Sequence, residues 1–308
     1  MTNNSMTSDS TTQRPNDPMT SDSITNDFAE RTGEDRIYVI QPIRGWRLLD
    51  LRELWAYREL IYFLTWRDIK VRYKQTALGI TWVVLQPLAL MVIFTLLFGR
   101  LAKIPSEGIP YPLFAYAGLL PWQIFSRTLN ESTTSLVKDH RLVSKVYFPR
   151  MIIPLSVTIA AMLDFVIASG VLFILMVIYG ATPGLALMSL PLFILLMFMN
   201  AVGIGLWLSA LNVQYRDVGY AVPFLTQVLL FVTPVLYPSS LVPAKLRMIY
   251  ALNPMAGVIG GFRWALLGVG EGFSSTLVVS VAIAVGVFFG GVVWFRAKEK
   301  GFVDILGA

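Results

Sequence analysis

The sequence predicts an all-α integral membrane protein with six transmembrane helices, and three observations carry that prediction. Hydrophobic residues make up 55% of the chain and charged ones only 14%, with a mean hydropathy of +0.63. That is far more apolar than a soluble domain of 308 residues. Six apolar runs approach the roughly twenty residues a helix needs to cross the hydrocarbon. Lys and Arg also gather on one side of the resulting topology.

The chain begins with a different material. Residues 1–36 are polar and rich in Ser, Thr, Asn and Asp, with MTSDS repeated at Met6–Ser10 and Met19–Ser23. Such a segment buries too little apolar area to offset its ordering entropy, so a disordered tail is expected. It has neither the basic start nor the apolar core of a signal peptide, and cleavage is not expected. Residues 37–78 come next as a cytoplasmic amphipathic interface region. Leu51, Leu54, Trp55, Tyr62, Trp66, Ile69 and Tyr73 recur at spacings of three, four and seven, which gathers them on one helical face opposite Arg52, Glu59, Arg67 and Lys74. Trp, Tyr and basic residues so arranged suit a helix lying in the interface, either as a membrane anchor or as a collar that guides a substrate. Arg58 interrupts that face and Leu60 and Phe63 lie off it, which points to a broken helix or to additional contact with protein.

The transmembrane domain, 79–308, contains spans expected at 79–99, 112–136, 152–179, 185–211, 218–236 and 275–295. The second turns polar in its cytoplasmic half. Met255–Leu267 is apolar but too short to cross, fenced by Pro254 and Gly268, and counting it would move the C-terminal tail to the other side. Charge decides the point. With six spans and both termini in the cytoplasm, the inner loops hold sixteen Lys and Arg, while the outside holds only Arg100, Lys103, Lys245, Arg247 and Arg263. The stretch 238–270 is therefore expected as a re-entrant pair of short helices, tolerated at that depth only where protein or a water-filled cavity covers it.

Several function classes drop out. The net charge of +6 is accounted for by cytoplasmic loops and leaves no basic surface domain for nucleic acid. With no cysteine and His140 as the one histidine, disulfides, thiolate or imidazole metal sites and a Ser-His-Asp triad are not expected. No GxxxxGK[ST] phosphate loop is present, so the chain is not expected to hydrolyse ATP or to be an enzyme. Ionisable residues inside spans are functional suspects because placing charge there is costly. Asp164 lies in the middle of the third span, with Arg127 and Glu131 toward the cytoplasmic end of the second. Asp164 reads either as a proton relay or as a protonated or Arg127-paired carboxylate joining two helices. In the loop KDHRLVSKVYFPRMIIP, Lys138–Tyr147 can form a short helix, basic at one end and apolar through Leu142, Val143 and Val146, with Pro149 and Pro154 restricting the backbone that leads into the third span. It reads either as a plug for a cleft on a soluble partner or as a tight basic loop.

Five blocks in order then carry a resemblance: Arg67–Pro87, AGLLPWQIFS (Ala117–Ser126), LVSKVYFPRMIIP (Leu142–Pro154), VQYRDV (Val213–Val218) and LNPMAGVIGGFRWALLG (Leu252–Gly268). From about Leu48 to Lys300 the chain resembles the membrane subunits of type 2 ABC exporters that move lipid-linked polysaccharides such as O-antigens and teichoic acids. The resemblance implies a homodimer in the bacterial cytoplasmic membrane carrying two copies of a separate ATPase that holds ATP and Mg, with no cofactor on this chain. It implies a coupling helix after the second span, here Arg141, Leu142, Val143, Lys145, Val146, Tyr147 and Phe148, and a re-entrant pair before the last span. It has the first and fifth spans line a channel between the subunits whose aromatics stack on sugars, a role carried by position to Trp82, Phe94, Tyr220, Phe224 and Phe231; ordinary packing is the other explanation for each. Arg67, Lys70, Arg72 and Lys74 would then attract the pyrophosphate of a lipid-linked glycan at the mouth of the first span, or serve topology alone. The shared blocks report architecture more than cargo, so a small amphiphile is an alternative substrate. A proton-linked carrier and a non-transporting scaffold are rivals from other classes.

Overall fold

The computed structural model of the chain describes residues 51–74, 79–270, 272 and 275–307. The expected tail at 1–36, and residues 37–50 and 75–78 of the region after it, lie outside these. All regular elements among the described residues are helical.

Helices α1 (Leu51–Ala56) and α2 (Arg58–Lys74) are separated at Tyr57, so the break falls next to Arg58. Helix α2 does not pack through its aromatic face. A stripe at spacing four, Leu60, Leu64, Asp68 and Arg72, turns toward protein, with Leu64 only 2% exposed. It runs beside the first half of α6 (Ile152–Ile178) in the same direction. Thr65 Oγ1 donates to the Ser156 carbonyl at 3.5 Å, and one face further along Arg72 donates to Asp164 at 2.6 Å. Helix α2 thus packs on protein along this stripe. The charged members of its packing stripe disguised that stripe in the sequence. Trp55, Tyr62 and Trp66 remain exposed on the other side.

Helix α3 (Thr81–Phe94) comes after a turn in which Gly79 takes φ +48°, a region open to glycine. It holds Pro87 and continues through Thr95–Leu101 in wider π-helical turns. The hub is α4 (Tyr111–Lys138), buried almost continuously from Tyr111 to Ile124. It contacts α3, α6, α7 (Leu190–Gln214), α8 (Val218–Val232) and α10 (Pro254–Leu267). Between α4 and α6 stands the short α5 (His140–Lys145). A one-turn 3₁₀ segment, Leu185–Ser189, leads into α7, and Asn212 Oδ1 accepts the Gly219 N–H at 2.8 Å, tying the end of α7 to the start of α8.

Helix α11 (Ser275–Glu299) lies against α7 at close range. A Cβ on Gly203 would stand 2.7 Å from the Phe288 Cα, and Trp207 stacks on Trp294 with centroids 5.6 Å apart. Small residues permit such approach between helices in lipid, where dispersion rather than water exclusion drives association. Helix α8 ends at Val232, short of the expected 236, and the chain continues in turns with Val235 and Leu236 buried. The stretch 238–270 forms two short helices, α9 (Ala244–Ala251) and α10. Asn253 caps α10 by accepting the Met255 N–H, Pro254 occupies its first position, and Gly268 ends it. After α11, α12 (Phe302–Gly307) returns to α5. By length and composition four helical stretches can cross a membrane: Thr81–Leu101, Ile152–Ile178, Leu185–Gln214 and Leu277–Glu299. Helix α4 has the length but a polar C-terminal half, and α8 is apolar but has 15 residues.

Candidate functional site

Helices α3, α4, α6 and α8 line a half-open cavity of about 520 Å³, within the size range of small-molecule sites. Its upper wall is apolar, with Leu90, Leu119, Leu120, Trp122 and Leu230. Its lower wall is polar, with Gln86, Gln123, Ser126, Asn130, Thr226 and Gln227, and its floor holds Arg127, Glu131 and Asp164. Gln123 Nε2 and Asn130 Oδ1 are buried and have no partner among the described residues. Unpaired buried amide groups are uncommon, and here they line a hollow.

The floor is a closed circuit of charge. Asp164, 1% exposed, receives Arg72 at 2.6 Å and Arg127 at 2.9 Å. Glu131 receives the same two arginines, Arg72 at 2.5 Å and Arg127 at 2.9 Å. The Tyr73 hydroxyl also donates to Asp164. Two guanidiniums and two carboxylates from α2, α4 and α6 balance, and a balanced set of hydrogen-bonded pairs is the form in which charge survives burial. Burial alone lowers the Arg72 pKa, but Glu131 and then Asp164 outweigh it and hold the group above its ordinary value. The Tyr73 phenol is pushed up to about 12, first by burial and then by its bond to Asp164. Asp164 thus joins helices, with its oxygens already occupied.

A second ionic joint lies at the root of α5. Arg67 grips Asp139 with both terminal nitrogens, at 2.9 and 2.7 Å, and Asp68 with Nε and Nη2, at 3.0 and 2.8 Å. Burial works against the Arg67 cation, yet the bonds to Asp139 and Asp68 raise its pKa overall. Asp68 is raised, by burial, against the opposing pull of Arg67.

The four cations expected to meet a headgroup therefore divide. Arg67 and Arg72 are committed to carboxylates, whereas Lys70 and Lys74 are exposed, with Lys70 Nζ 5.4 Å over the Trp66 ring. The seven coupling residues divide too. Val143 and Phe148 are buried against Leu64, Leu136, Met151, Phe295 and Phe302, so they hold the loop in place. Arg141, Lys145, Val146 and Tyr147 are exposed, while Leu142 is half-buried. Among the five aromatics, Phe94 is packed in the core 5.8 Å from Phe98 and is not an outward-facing ring. Trp82, Tyr220, Phe224 and Phe231 are exposed.

Two sets of residues carried no flag in the sequence. The amides Gln86, Gln123, Asn130 and Gln227 were legible as polar groups in apolar segments, but they lack the charge or ring that marks a functional suspect. Arg263, counted as an outer loop cation, is 4% exposed in α10. It donates to the carbonyls of Phe114, Pro234, Val235 and Tyr237 and lies 3.6 Å over the Phe114 ring. No sequence signal separates such a cation from a solvated one.

Known proteins share this architecture. The ABC-2 type transporter profile matches residues 59–267, from α2 through α10. The O-antigen export system permease protein RfbA of Myxococcus xanthus is 32% identical over 216 residues, spanning 69% of this chain and 82% of that protein. RfbA of Klebsiella pneumoniae is 32% identical over 206 residues, spanning 67% and 79%. The polysialic acid transport protein KpsM of Escherichia coli is 24% identical over 244 residues, spanning 77% and 92%. The profile takes in the cavity, both ionic joints and the short helix after α4, and the chain belongs to the ABC-2 type transporter family.

Proposed function

We propose that this chain is the permease subunit of an ATP-driven exporter that moves a lipid-linked polysaccharide, O-antigen-like or teichoic-acid-like, across the bacterial cytoplasmic membrane. The similarity to O-antigen export permeases carries this reading. Six spans are proposed, α4 and α8 joining the four longer apolar stretches, with both termini cytoplasmic and α9–α10 re-entrant from outside. Two copies pair and two ATPase subunits bind beneath them. ATP and Mg belong to those subunits.

Chemistry supports the cargo. A glycan offers many hydroxyl groups and little net charge, which suits a cavity lined by amides over a balanced floor. Buried amides without partners gain most from a ligand that hydrogen-bonds both ways. Uncovered Trp82, Tyr220 and Phe224 lie on the helices that bound the cavity, as platforms for sugar faces once a second copy covers them. Lys70 and Lys74, exposed at the end of α2, are the cations that receive a pyrophosphate.

The ATPase contact falls to Arg141, Lys145, Val146 and Tyr147. The test is purification from the native membrane with the bound ATPase monitored. Val146→Asp with Tyr147→Asp is expected to leave the permease abundant and release the ATPase. Phe148→Asp is expected to lower abundance, because it buries a charge among Leu64, Leu136 and Met151. A wild-type preparation without an ATPase, or a surface glycan unchanged on deletion of the chain, would defeat this reading.

A further inference from the structure

We propose that α2 is a lever through which the coupling helix acts on the charged floor of the cavity, with Arg67 and Arg72 as its two positioning residues. The inference rests on the reading of α5 as the ATPase-facing coupling helix.

Helix α2 is attached at two points. At one, Arg67 holds Asp139, the residue between the last turn of α4 and the first of α5, through two parallel bonds at 2.9 and 2.7 Å. A bidentate guanidinium–carboxylate pair fixes orientation as well as distance, which a single lysine contact cannot do. Asp68 braces the same guanidinium from the neighbouring position at 2.8 Å. Five residues on, about 7.5 Å along a helix axis, Arg72 enters the cavity floor and bridges Glu131 on α4 to Asp164 on α6. Beyond Lys74 the chain continues into α3, whose Val83, Gln86 and Leu90 form one wall of the cavity. One helix thus touches both the root of the coupling helix and the charged floor of the cavity.

The two joints differ in kind. Arg67 and Asp139 are partly exposed, with side chains at 34% and 20%. Water beside such a pair lowers the cost of a transient mismatch, so the pair can re-form after a displacement, guided by its two parallel bonds. Arg72 and Asp164 are at 13% and 1%, inside a closed set of four charges. Separating them leaves charge unpaired in a buried place, so this joint resists small displacements and yields as a unit. In the lever, Arg67 is the grip and Arg72 the latch. A shift of α5 carries Asp139 and, through Arg67, α2; the latch holds the end of α2 to α4 and α6 until the load releases it.

The decisive quantity is glycan exported per ATP hydrolysed, measured with the permease–ATPase complex in vesicles loaded with the host's own lipid-linked glycan. Asp139→Asn, which preserves shape, and Arg67→Gln are expected to retain the ATPase and its turnover. Export per ATP should fall by about five-fold or more, the lower end of a coupling free energy between sites. The exchanged pair Arg67→Asp with Asp139→Arg is expected to recover much of it. A purely structural pair would instead lower abundance and leave the ratio alone. An unchanged ratio in both single variants, or an exchanged pair no better than either, overturns the lever. A Val146→Asp, Tyr147→Asp complex that keeps its ATPase would strike the coupling-helix reading itself.

Discussion

Removing Asp164 is the sharpest perturbation of this structure. The carboxylate is 1% exposed and pairs with Arg72 at 2.6 Å and Arg127 at 2.9 Å. Each guanidinium about 4 Å away by charge centres attracts it by roughly 4 kcal/mol at an effective dielectric near 20, before desolvation is subtracted. Deleting one partner of a buried pair costs about 3–5 kcal/mol, because the other is left uncompensated. Here Glu131 remains beside both arginines and Arg127 is one-third exposed. We therefore expect Asp164→Ala to cost about 3 kcal/mol, the lower end of that range. The assay is unfolding in mixed micelles titrated with dodecyl sulfate, applied to Asp164→Ala, Arg72→Met and their combination. The double variant removes both charges and should cost less than the sum of the two single variants by about 1.5 kcal/mol or more. A loss under about 0.5 kcal/mol for Asp164→Ala, or additivity within that margin, would refute the closed circuit.

Tyr73 and Arg263 give two further outcomes. Because the folded Tyr73 phenol keeps its proton to about 12 against an ordinary 10, its stabilising contribution is whole below pH 10 and is lost as pH rises through about 12; Tyr73→Phe should flatten this alkaline fall in thermal unfolding, and an unaltered profile would count against the bond to Asp164. Arg263→Lys should destabilise by about 1–3 kcal/mol and increase proteolysis at 233–243, since an ammonium cannot span the four carbonyls that the guanidinium reaches; wild-type stability in that variant would show the clasp to be dispensable.

Much of the candidate site was half legible. Asp164, Arg127 and Glu131 stood out as ionisable groups in apolar stretches, and Arg72 as charge at the mouth of a span. What the sequence hid is that Arg72 and Asp164, 92 positions apart, meet. Val143 and Phe148 look like a partner's contact beside Val146 and Tyr147, because a six-residue helix with an extended tail has no period long enough to show which way each side chain turns. Phe94 and Trp82 lie on one helix, yet the first is buried in the core and the second is exposed.

The sequence by itself determined that the chain is helical and membrane-embedded, where its apolar helices begin and end to within a few residues, and that the stretch before the last long helix breaks into short pieces. These properties are sums or local rules along the chain: hydropathy over a window, charge by segment, Pro and Asn at a helix start and Gly at its end. Only the tertiary structure decided which face of α2 packs, which cations are spent on carboxylates, and that four amides converge on one hollow. Those outcomes depend on the rotation of each helix against its neighbours. That rotation is set by packing and ion pairing between residues far apart in sequence, where no local pattern reaches.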